Sequence, residues 1–163
     1  DRYVNEVEAT VQLFETQGAE AVAAKFATGP ARVQFRNKDP RGWAECTRMF
    51  GEHSPKGSAL TMRGVQMQRP SVWDLAEDMK KMTMPTLLMT GDENEPALEA
   101  NIFMKRMIPT AGLTVLSNSG LALNLEEPEA FNQCLQNFLM AVEAGRWPSR
   151  DPQSRSESAL GVK

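Results

Sequence analysis

The sequence predicts an α/β fold in which a helical region, residues 1–82, precedes a parallel βαβ unit with a closing helix, residues 83–146. Three observations carry that expectation. Residues 1–80 run largely in helical periodicity and contain no strand-like run. Residues 85–90, PTLLMT, form a short apolar stretch bounded by a proline and a glycine, which is how a strand covered on both faces reads. A second such stretch, LTVL at 113–116, follows after a helix-length interval. Strand, helix and strand in that order predict parallel pairing.

Each element has its own signal. Residues 2–17 place Tyr3, Val4, Val7, Val11 and Phe14 on one helical face, and Gly18 closes that helix. An Ala-rich helix over 19–27 stops at Gly29-Pro30. Asp39-Pro40 opens a third helix over 40–52, with proline in the tolerated first turn. A fourth, over 56–67, ends before Arg69-Pro70. Ser71 caps a fifth over 71–82, with Asp74 three residues on, where a capping-box acid stands. After the first strand, a helix over 97–107 carries Leu98, Ile102 and Met107. The last helix, over 128–144, starts at Pro128 and directs Phe131, Leu135, Phe138, Leu139 and Val142 inward. From Trp147 to Lys163 the chain is polar and aperiodic, and a disordered tail is expected.

Composition bounds the function. The chain has 163 residues, is 41% apolar and 24% charged, and carries a net charge of −3, as ordinary globular chains do. With both signs interspersed, nothing favours nucleic acid or an anionic membrane as partner. No apolar run approaches the roughly 18–20 residues that cross a bilayer, and the amino terminus lacks the basic-then-apolar pattern of a signal peptide, so a cytoplasmic location is expected. Cys46 and Cys134, far apart and each in a helical pattern, are expected as buried free thiols. There is no Cys/His cluster of metal-ligand spacing, so neither a metal nor another cofactor is expected.

Two segments carry a resemblance. MTMPTLLMTGDENEP (82–96) and NSGLALNLEEPEAF (118–131) are similar to the last two strand-loop units of the α/β-hydrolase family. The first resembles its Pro-Thr-apolar-Gly-x-x-Asp pattern. The second, within residues 108–139, resembles Ile-Pro-x-Ala, then Gly-His, then Glu-x-Pro-x-x-Phe, then Phe-Leu. The resemblance covers essentially residues 1–146 and implies an incomplete α/β-hydrolase-like fold: a helical cap followed by the carboxy-terminal part of the core. It also implies a Ser-dependent hydrolase ancestry, acting on a small, fairly apolar ester or related substrate.

The resemblance fails at the chemistry. In that family the chain order is nucleophile, acid, histidine, with the nucleophile in a G-x-S-x-G elbow. No such elbow occurs in this sequence. The acid position, fourth in the loop that starts at Gly91, is Asn94, and the histidine position is Leu121. An amide in place of the acid costs on the order of 10⁴ in turnover in serine proteases. Leucine has no proton acceptor, and loss of the base costs on the order of 10⁶. Asp92, Glu93 and Glu95 beside Asn94 read as solvated charges. His53, the sole histidine, followed by Ser54 in GEHSPKG, reads as a surface or capping residue. The chain alone is therefore expected not to hydrolyse anything.

The resemblance further implies that cap side chains wall an apolar pocket, with Phe35, Trp43, Phe50, Met62, Met67 and Trp73 as candidates; ordinary interhelix packing is the competing account of each. The expected partner is thus a small apolar ester-like ligand. Two parallel strands are not a viable sheet, and the first residues already run in helical periodicity. An amino-terminal half that carries more strands is therefore expected; the alternative is a non-catalytic binding or interaction protein that associates with a partner or a second copy through its uncovered apolar sheet and helix faces.

Overall fold

A computed structural model describes residues 2–155. The helical region comes first: α1 (Arg2–Ala27), α2 (Val33–Lys38), α3 (Pro40–Gly51), α4 (Pro55–Thr61) and α5 (Ala76–Met79). Strand β1 (Thr86–Gly91), α6 (Glu95–Met107), β2 (Ala111–Leu116), α7 (Leu123–Glu126) and α8 (Pro128–Glu143) follow. β1 and β2 pair in parallel from Thr86 opposite Ala111 to Gly91 opposite Leu116. This is a helical cap with a small, open parallel sheet, as in an incomplete α/β-hydrolase-like fold.

The two helices expected over 2–27 are the two arms of α1, parted at Gly18, whose non-helical φ of 83° and ψ of 178° suit glycine and few other residues. The bend lets Val7, Val11 and Phe14 on one arm and Ala19 and Val22 on the other bury against Ala59 of α4. Asp39 caps α3 by accepting from the Gly42 N–H, and Ser54 caps α4 by accepting from the Gly57 N–H. Past Thr61 the helix widens to a π turn over Met62–Gln66, where the Met67 N–H reaches the Met62 carbonyl.

Several expectations are corrected. The segment 33–38, to which the sequence reading assigns no element, is helical as α2. The fifth helix shrinks to Ala76–Met79: Ser71 and Asp74 do bond reciprocally, but they close a turn over 71–75 instead of starting a long helix. Cys46 and Cys134 are free, but only half-buried. In α8 no residue is buried, and Leu139, expected inside, is 47% exposed.

The disordered tail does not begin at Trp147. Gly145, at φ 65°, ends α8 with a reciprocal pair of bonds, Gly145 N–H to Val142 and Arg146 N–H to Ala141. The chain then turns back. Trp147 stacks edge-on against Phe138 and donates its indole N–H to the Thr110 carbonyl at 2.8 Å. It lies so close over Gly112 that a Cβ there would stand 2.6 Å from the indole ring. Residues 156–163 of the expected tail lie outside the described residues.

Candidate functional site

The loop after β1 carries Asn94, the residue expected at the acid position. Gly91 ends the strand, and the Asn94 N–H folds back onto its carbonyl. The Asn94 carbonyl accepts the Ala97 and Leu98 N–H groups and so opens α6, with Pro96 in the first turn. Asn94 is 9% exposed, and its side chain caps nothing.

The loop after β2 carries Leu121, the residue expected at the histidine position, and the two loops are stitched together at Ser119. This fully buried residue receives the Glu93 N–H on its carbonyl at 2.9 Å and donates its own N–H to the Asp92 carboxylate at 3.2 Å. The Asp92 N–H reaches the Leu116 carbonyl. Gly91 passes so close that a Cβ there would lie 2.0 Å from the Ser119 carbonyl oxygen. Asp92 and Glu93 are exposed, yet both bond: Glu93 accepts from the Gln34 side chain at 2.7 Å.

Glu126 fixes the other side of the loop. Its buried carboxylate accepts the Gly120 N–H at 2.5 Å and the Ala122 N–H at 2.9 Å, one on each side of Leu121. The Leu121 N–H itself donates to the Ala31 carbonyl at 3.0 Å, and Gly120 has no room for a Cβ beside that same carbonyl. Lys38 of α2 reaches both the Ser119 hydroxyl at 3.4 Å and Glu127 at 2.5 Å. The loops are thus tied to each other and to the helical region, whereas the Leu121 side chain stands 52% exposed. The roles of Ser119 and Glu126 were not assigned from sequence. Glu126 is the Glu of Glu-x-Pro, so its signal lay inside a motif already noticed.

The candidate ligand residues divide. Phe35, Trp43 and Phe50 line one cavity of about 410 Å³ between α1, α2 and α3. Phe50 and Met62 line a second, of about 480 Å³, beside α4. Met67 packs on the core of the helical region. Trp73 is placed elsewhere, against Phe103 of α6. Neither Asn94 nor Leu121 lines either cavity. His53 is exposed, lies edge-on to Phe50 and borders both cavities, while the Ser54 hydroxyl is engaged as the α4 cap.

This fold recurs in known proteins. MenH from S. aureus superposes with a TM-score of 0.78 at 17% identity, over 87% of this chain and 53% of that one. The fold is part of an α/β-hydrolase fold. Est816, described as an N-acyl homoserine lactone degrading enzyme, superposes at 0.60 with 22% identity, over 79% of this chain and 50% of its own. In sequence, 85 residues are 26% identical to a candidate 2-succinyl-6-hydroxy-2,4-cyclohexadiene-1-carboxylate synthase of Bacillus subtilis (strain 168). That match covers 52% of this chain and 30% of the relative. The chain thus spans about half the length of the two structures and about a third of the curated relative. No family model matches it. Among the described residues, no helix is long and apolar enough to cross a membrane.

Proposed function

We propose that this chain is the carboxy-terminal part of an α/β-hydrolase family protein, with residues 1–82 as cap and 83–146 as core, and that alone it does not hydrolyse. Its ancestry is hydrolysis of a small, fairly apolar ester or related substrate. One observation carries the reading. The loops of the acid and histidine positions are held by dedicated contacts through Gly91, Ser119, Gly120 and Glu126, but the side chains they offer are an amide and a leucine. Neither supplies the carboxylate or the imidazole of a triad. Phe35, Trp43 and Phe50 are the apolar wall for the ligand.

The test joins the chain to an amino-terminal segment bearing a strand, a G-x-S-x-G elbow and a helix. Asn94→Asp combined with Leu121→His restores ester turnover, and the parent pairing shows none. Equal turnover by the two pairings would show that these positions are misassigned.

A second reading has its own support. Among the described residues β1 pairs with β2 alone, neither α6 nor α8 buries a residue, and Val115, Leu139 and Met140 stand exposed. Such faces favour association, with the missing half or with a second copy. Sedimentation over a concentration series separates the two: a discrete dimer favours self-association, and a monomer that binds the elbow-bearing segment favours completion.

A further inference from the structure

The cavity between α1, α2 and α3 contains one charge, that of Arg32, that no described residue answers. Its wall is aromatic and apolar, with Phe35 1% exposed and Trp43, Met49 and Phe50 around it. Arg32 and His53 are its ionisable basic residues, and no aspartate or glutamate lines it. Its other donors are engaged: the Trp43 indole N–H bonds the Ala27 carbonyl at 2.9 Å, and the Thr47 hydroxyl bonds the Trp43 carbonyl at 2.8 Å.

Arg32 is half-buried and makes no ion pair with any described residue. The other half-buried arginines differ. Arg63 sits between Glu8 and Glu15, and Arg150 donates to the Arg106 carbonyl. An arginine that lines an apolar cavity, with no side-chain bond to any described residue, is a site for an anion that brings apolar surface with it. The volume of about 410 Å³ lies within the roughly 300–1,000 Å³ of small-molecule pockets.

We propose that this cavity binds a small aromatic or cyclic carboxylate, whose ring rests among Phe35, Trp43 and Phe50 and whose carboxylate pairs with Arg32. The inference rests on the reading of those three residues as ligand walls, and not on hydrolytic ancestry.

Calorimetric titration of the purified chain with 1-naphthoate and with 1-naphthalenemethanol, its uncharged counterpart, tests it. The parent binds the carboxylate about ten-fold or more tightly than the alcohol, as a charge-assisted pair requires. Arg32→Gln removes that preference. The comparison of the two ligands on the parent needs no variant, so it decides the question even if Arg32→Gln fails to fold. Equal affinity of the parent for both ligands, or an undiminished preference in Arg32→Gln, overturns the anion site and leaves the apolar wall standing. Binding of neither ligand overturns both.

Discussion

The backbone N–H of Leu121 donates to the carbonyl of Ala31 at 3.0 Å, so the loop after β2 is anchored to the helical region by main chain and not by the side chain at 121. The anchor does not depend on which residue stands at 121. It explains how this loop keeps its place although its side chain is leucine. The same holds opposite, where the Asn94 N–H and carbonyl shape the turn into α6 and its side-chain amide takes no part in capping.

Glu126 is the residue on which the loop depends. Glu126→Gln replaces one acceptor oxygen with an N–H₂ group that faces a backbone donor. One of the Gly120 and Ala122 N–H groups is then left without a partner in a buried site. The expected cost is about 1–3 kcal/mol. Urea denaturation measures it, and amide exchange at residues 120–122 accelerates more than at the α1 core. Unchanged exchange there would remove Glu126 from this role.

Gly91→Ala is expected to be worse than Gly112→Ala. At Gly91 the added methyl meets backbone, the Ser119 carbonyl at 2.0 Å, and neither loop can move without breaking their shared bonds. At Gly112 it meets the Trp147 ring at 2.6 Å, a side chain and not backbone. Overpacking of the second kind costs about 1–3 kcal/mol. Thermal melting of both variants ranks them, and a milder effect at Gly91 would contradict the close approach of the two loops.

Much of this architecture was legible in the sequence, and the misses have physical causes. Pro40, Gly18, the 85–90 run and the α6 and α8 periodicities are local signals, and the elements they mark are present. α2 was missed because Phe35 is the only buried residue in VQFRNK, too little to show a period. The fifth helix was overlong because Ser71 and Asp74 bond equally well across a turn. Trp147 was read as tail because its partners, Phe138, Thr110 and Gly112, are set by tertiary packing. At the site, the positions of Asn94 and Leu121 came from motif order, whereas Ser119 and Arg32 matter through neighbours distant in sequence.

Acid weakens the helical region through Glu8. Its hydrogen bond to Arg63 holds the Glu8 carboxyl below its ordinary range, reinforced by the charge of that guanidinium and opposed by desolvation. A lowered folded value means the stabilisation is complete above the ordinary carboxyl range, and is lost as pH falls through the folded value. Melting followed from neutral pH to about pH 3 therefore falls more for the parent than for Glu8→Gln. Parallel curves would show that the ion pair adds nothing to stability.

Hydrolysis of p-nitrophenyl butyrate by the purified chain as it stands decides whether the scaffold persists without its chemistry. No saturable turnover above the buffer rate is expected, because Asn94 and Leu121 supply neither an acid nor a base. Saturable turnover that is lost on treatment with a serine-directed sulfonyl fluoride would contradict it and would place an active nucleophile within these 163 residues.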